Sequence, residues 1–155
     1  MSNLLTEKIE IKRAEKKDLE KIVNLVADFY SEEERLDPRA ITAGKEKLTK
    51  AIAKKLEDKK KNFYFLAYSE EEIVGLLQIL LIDRKLAELI LVYVVPKFRN
   101  QGIGKYLISW GLTQLKNWGI KFVRVEIREK NYVSQKIFSS FNPSLYSCTY
   151  TISLF

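Results

Sequence analysis

Arg99-Asn100-Gln101-Gly102-Ile103-Gly104 is the stretch on which the reading of this chain turns. It is preceded by an apolar run, Leu89 to Val95, closed by Pro96, and followed from Lys105 to Trp118 by apolar residues at helical spacing. A strand, a glycine-bearing turn and a helix start make an anion site. The first helical turn leaves backbone N–H groups unpaired, and the helix dipole adds partial positive charge there. Gly102 and Gly104 remove the Cβ atoms that would hold a phosphate away, and Arg99 and Lys105 add full charges. The turn reads as a cradle for a pyrophosphate.

Working outward, the chain divides into elements without a break. Ile9 to Lys12 alternates as a first strand. Asp18 can cap a helix in which Leu19, Ile22, Val23, Val26 and Phe29 share a face. The acidic stretch Ser31 to Arg39, ending near Pro38, reads as a loop, and a second helix follows over Gly44 to Glu57. Asn62 to Tyr68, Ile73 to Ile82 and Leu86 to Val95 are strands joined by tight links, hence antiparallel neighbours. After the glycine turn and its helix, Ile120 to Arg128 is a strand parallel to the previous one. Asn131 can cap a last helix, Pro143 ends it, and Tyr146 to Leu154 reads as a final strand. The fold class expected is α/β (α+β): one domain over residues 1–155, a mixed and mostly antiparallel sheet flanked by about four helices.

The bulk numbers are those of a globular chain of 155 residues, 46% hydrophobic and 12% aromatic. One cysteine, Cys148, cannot form an internal disulfide and suits a reducing compartment. No signal-like segment opens the chain and no apolar run is long enough to span a bilayer, so a soluble, cytoplasmic protein is expected. There is no histidine, which removes the commonest general base and metal ligand, so no metal site is expected. The formal charge of +7 suits an anionic partner. Its lysines are interleaved with glutamates and lack an aromatic stripe, so nucleic acid is not the expected partner. The final strand, if exposed, could pair two copies into a homodimer.

The glycine spacing separates this turn from other phosphate cradles. A P-loop and a three-glycine dinucleotide fingerprint are both absent. Val94-Val95-Pro96-Lys97-Phe98-Arg99-Asn100-Gln101-Gly102-Ile103-Gly104, in this element order and with Asn131 opening a later helix, resembles the GNAT superfamily of acyl-CoA-dependent N-acyltransferases. The resemblance covers nearly the whole chain. It implies acetyl-CoA as co-substrate, lying where the strand Leu86–Val95 splays from the strand Ile120–Arg128. Main chain near Tyr93, Val94 and Val95 would pair with the pantetheine arm, and the segment Arg99, Asn100, Gln101, Gly102, Ile103, Gly104 and Lys105 would hold the pyrophosphate. Asn131 would reach the pantetheine.

The implied reaction is attack of an amine on a thioester. A main-chain N–H near Val94 is the candidate oxyanion donor. Many relatives carry a tyrosine seven residues after the asparagine as the acid; here that position is Phe138, which has no proton to give, and Tyr132 is the nearby candidate. Relatives often place a carboxylate on the strand before the motif, where this chain has Ile90 and Leu91. Glu88 shares the face of Ile90 if the strand is regular, and Glu126 could face the cleft from the neighbouring strand. Both also read simply as solvent-facing strand residues. Acceptor choice is expected from the first two helices and their loop. Phe29, Tyr30, Glu32, Glu33 and Glu34 would suit a cationic amine such as a polyamine, a lysine side chain or a protein N-terminus. A CoA-binding module without catalysis is the alternative.

Overall fold

The computed structural model describes residues 6–40, 42–145, 147, 149 and 151–154. Along the chain run β1 (Ile9–Arg13), α1 (Leu19–Leu36), α2 (Lys45–Glu57), β2 (Asn62–Ser69), β3 (Glu72–Leu81), β4 (Leu86–Val94), α3 (Ile103–Asn117), β5 (Phe122–Val125) and α4 (Tyr132–Ser139). The five strands form one sheet in sequence order, β1-β2-β3-β4-β5. Each neighbouring pair among the first four is antiparallel, and β5 is parallel to β4. Short links force β2-β3 and β3-β4 to be antiparallel, β1 returns to β2 through α1 and α2, and the crossover through α3 makes the last pair parallel. This α+β order matches the expected one up to its final strand. Among the described residues, no helix is long and apolar enough to cross a membrane.

Strand alternation divides the core between the two faces of the sheet. On one face Tyr64, Leu66, Leu76, Leu91 and Tyr93 meet Ile22, Val23 and Val26 of α1 and Ile52 of α2. On the other, Phe63, Phe65, Leu77, Ile79 and Leu89 meet Ile108 and Leu115 of α3, with Ile137 and Phe138 of α4 packed against them.

Three expectations change. Helix α1 does not stop before the acidic stretch but continues to Leu36. Glutamate and arginine are good helix formers, and the real stop is Pro38, which holds Asp37 extended at φ −144° and ψ 109°. Strand β5 is shorter than the expected Ile120–Arg128, covering only Phe122–Val125. The reason lies in β4, where the register with β3 shifts: Gln78 faces Leu91 while Ile79 faces Leu89, leaving Ile90 as a bulge. Leu89 accordingly packs toward α3 and Leu91, two residues on, toward α1, which no regular strand allows. Finally, Ser147, Thr149 and Thr151–Leu154 carry no strand. With four residues, β5 offers little edge for a strand of the expected length, and Ile152 and Leu154 meet no packed surface, each above 80% exposed. Tyr146, Cys148 and Tyr150 of that expected strand lie outside the described residues.

Candidate active site

The bulge opens the site. Pairing between β4 and β5 ends at Leu89↔Val125, yet β4 continues to Val94. From Ile90 onward its outer edge therefore has no strand beside it among the described residues. Register fixes which amides face this edge. Val94 lies opposite Gly75, and the Val95 N–H donates to the Val74 carbonyl (2.9 Å). Gly75↔Val94 is thus a non-hydrogen-bonded pair, and Val94 turns its own N–H and C=O away from β3. Val92, two residues earlier, does the same. Tyr93 and Val95 turn their backbone to β3 instead, and the Tyr93 side chain is buried in the α1 face.

At the far end of this slot, α3 begins. Gly102 is its N-cap at φ +79°, a left-handed conformation that glycine adopts without a Cβ clash. No side chain caps the first turn, so amides at Ile103, Gly104 and Lys105 are left for a ligand. A Cβ at Gly102 would meet nothing within 4 Å, and one at Gly104 would only reach ordinary contact with Val94 and Ile137, both at 3.7 Å. Protein packing therefore does not require Gly104 to be glycine. Lys105 is exposed on this first turn, 6.0 Å from the Phe141 ring.

Arg99 goes elsewhere. Its Nη2 donates to both carboxylate oxygens of Glu32 on α1 (2.8 Å each), and its Nε donates to the Val94 carbonyl (2.9 Å). The guanidinium also lies 5.4 Å from the Tyr93 ring centre. With Nη2 shared between the two Glu32 oxygens and Nε on Val94, this charge is committed to α1 rather than aimed at the α3 amides. Burial, then the nearby Glu32, pushes the Tyr93 phenol above its ordinary pKa, and its hydroxyl donates to Glu32 (3.4 Å). Asn100 holds a left-handed backbone, φ +60°, and the Gln101 side chain donates to the Lys97 carbonyl (3.5 Å).

Where β4 and β5 part, a cleft passes through the sheet. Its walls are Phe29 and Glu33 of α1, Leu89 to Val92 of β4, Val125 to Arg128, and Asn131, Ser134 and Phe138 around α4. Asn131 caps α4, accepting the Ser134 N–H at its Oδ1 (3.1 Å), and donates from Nδ2 to Glu33 (3.0 Å). Glu33, buried, is also ion-paired with Arg128 Nε (2.8 Å). Behind this, the buried carboxylate of Asp37 takes the Arg39 side chain (Nη2 2.7 Å), which also reaches Glu129 (3.6 Å). The end of α1 and its following loop are thereby fastened to the segment after β5.

The candidate catalytic residues separate in this geometry. Glu126 lines the cleft and has no ion-pair or hydrogen-bond partner among the described residues. Glu88 precedes the bulge, lies outside the cleft wall and is held by Arg124 Nε (2.6 Å). Tyr132 is 70% exposed on the outer side of α4. Ser134 and Phe138 are the α4 residues that face the cleft. Of the acceptor-side residues, Phe29 and Glu33 line the cleft, while Tyr30 packs against the core beside Phe29 (ring centres 5.4 Å apart). Sequence reasoning missed Arg128 and Ser134. The only signal for Arg128 was its place two residues after Glu126, on the same expected strand.

Comparison with known proteins bears on this geometry. The model of the acetyltransferase (GNAT) family matches residues 19–142. No curated protein matches the chain. Among solved structures, it is similar to the tetramutant BH1408 protein of Bacillus halodurans (TM-score 0.82, 15% identity, covering 94% of this chain and 99% of that one). It is also similar to the aminoglycoside acetyltransferase meta-AAC0020 from an uncultured soil metagenomic sample, solved with sisomicin (0.71, 23%, 96% and 99%). A third is the PaiA N-acetyltransferase of Thermoplasma acidophilum, solved with coenzyme A (0.72, 19%, 86% and 87%). At these identities the structural likenesses establish the fold.

Proposed function

This chain belongs to the acetyltransferase (GNAT) family, and from that premise we propose that it transfers an acetyl group from acetyl-CoA to a primary amine by direct attack. The observation that carries this reading is the β4 edge from Ile90 to Val94, which no described strand pairs and whose last carbonyl is held by Arg99, leading to the sterically open first turn of α3.

Acetyl-CoA supplies the activated acetyl group as a thioester. Amides of Ile103, Gly104 and Lys105 hold its diphosphate, helped by the helix dipole. Backbone groups of Val92 take the pantetheine arm as a sheet edge takes a strand, the Val94 carbonyl being held by Arg99. The second Asn131 amide hydrogen reaches the same arm, and Phe138 gives it an apolar wall. The Val94 N–H, turned to the open edge, donates to the carbonyl oxygen as charge develops there. Glu126 removes the proton of the incoming ammonium, since it is the cleft carboxylate with no arginine against it. The C–N bond forms, the C–S bond breaks as coenzyme A departs as a thiolate, and the second proton of the attacking nitrogen passes to solvent as the amide forms. With Phe138 where an acid would stand, the thiolate leaves unprotonated, which its thiol pKa of about 8.5 permits.

Phe138 is also the observation that favours a second reading, a CoA-binding module without catalysis. Mass spectrometry of free coenzyme A released from acetyl-CoA over a panel of primary amines separates the two. Sustained, amine-dependent release is expected. Tight acetyl-CoA binding with no release for any amine would leave the binding module.

A further inference from the structure

The acceptor end of the cleft carries a specificity device that its acidic sequence disguises. Read as composition, Glu32 and Glu33 suggest a site for a polycation. In the fold each has met an arginine. Glu32 is held at both oxygens by Arg99, and Glu33 lies between Arg128 and the Asn131 amide. Their negative charge is balanced before any substrate arrives. Glu126 alone among these carboxylates lines the cleft without a cation beside it.

Arg128 is the second half of the observation. Its contact with Glu33 runs through Nε (2.8 Å), and among the described residues neither Nη takes a hydrogen bond. The side chain lines the cleft and is 41% exposed. A guanidinium ion-paired at its Nε side leaves the two Nη groups as a planar fork, the arrangement that matches a carboxylate bidentately. Glu33 is itself buried and fixed by Asn131, so the fork is oriented before binding.

Resting on the transferase reading above, we propose that the acceptor is an amine that also bears a carboxylate, of the α-amino acid class, with Arg128 as the residue that selects it. The Arg128 fork takes the carboxylate and Glu126 takes the ammonium. Phe29 and Ile90 supply apolar walls for the rest of the molecule.

The test separates recognition from turnover. Protein loaded with coenzyme A, which has no acetyl group to transfer, is titrated calorimetrically with α-amino acids and with the matching amino acid amides. At least one amino acid is expected to bind roughly tenfold or more tightly than its own amide, as a forked, charge-assisted pair implies. Arg128→Gln should bring the two within about twofold, and Arg128→Lys should restore only part of the difference, in keeping with a fork rather than a point charge. Unchanged coenzyme A affinity certifies that both variants are folded. Amides or polyamines binding as well as the amino acids, or a preference that survives Arg128→Gln, would overturn the proposal. The same amines are then assayed for coenzyme A release from acetyl-CoA. Carboxylate preference in binding without any release would remove the transferase reading and leave this site standing. Release with polyamines or amides alone would do the reverse.

Discussion

Two glycines beside the site sit in opposite surroundings, and substituting them tests fold and function separately. A Cβ at Gly75 would lie 2.8 Å from the Tyr93 carbonyl oxygen and 2.9 Å from Leu107 Cδ1. Gly75→Ala must push β4 or α3 aside, and should lower stability by about 1–3 kcal/mol in thermal or urea unfolding. Gly104 has no such neighbour. Gly104→Ala should hold or raise the melting temperature, since alanine in a helix gains up to about 1 kcal/mol over glycine. Its acetyl-CoA affinity should fall about tenfold, or ~1.4 kcal/mol, because the added methyl enters the diphosphate space. A stable variant that binds as well as wild type would show that the space is not used. At the same scale, Glu126→Gln should lower kcat about 10²-fold while leaving the KM for acetyl-CoA in place, as loss of a general base does. Glu88→Gln, whose carboxylate is tied to Arg124 outside the cleft, should leave kcat near wild type.

Among the elements, the end of α1 and the loop after it act as a fastening across the cleft. Its anchor, Asp37, has a carboxyl held well below the ordinary carboxylate range, first by the Arg39 side chain and then by the Arg39 backbone N–H. A depressed folded-state pKa gives stability that is present above the unfolded value of about 3.9 and is lost as pH falls below it. Wild type should therefore melt above Asp37→Asn at pH 7, and the gap should close as the pH is taken below about 4. The elements also explain what the sequence could and could not disclose. β2, β3 and β4 were legible because alternation and tight links are local, and so was the α3 start with its glycines. Asn131 as a cap was legible too, and it caps Ser134. The length of α1 was hidden because its acidic turn resembles a loop in composition, and the stop acts from Pro38 on the residue before it. The length of β5 was not in its own residues at all, but in the bulge at Ile90 on its neighbour. The partners of the acids were equally out of reach, Arg99 being 67 residues from Glu32 and Asn131 98 from Glu33.

At the scale of the molecule, the sheet is a partition with one gap. α1 and α2 cover one face, α3 and α4 the other, and the cleft between β4 and β5 joins them. A donor lying along β4 to the α3 terminus and an acceptor entering beneath α1 would meet at the gap. The net charge of +7 favours approach of a polyphosphate from a distance, an effect that salt should weaken. Binding at a built site also stabilises the fold by mass action. Acetyl-CoA at 100 times its Kd should add about 2.7 kcal/mol to unfolding, read as a concentration-dependent rise in Tm. The most direct measurement is a crystal structure of the chain with acetyl-CoA. The account predicts the diphosphate on the amides of Ile103 to Lys105, the pantetheine beside Val92 and Val94, and the thioester carbonyl within hydrogen-bond reach of the Val94 N–H. A diphosphate bound away from the α3 terminus, or a pantetheine that leaves the β4 edge empty, would contradict it.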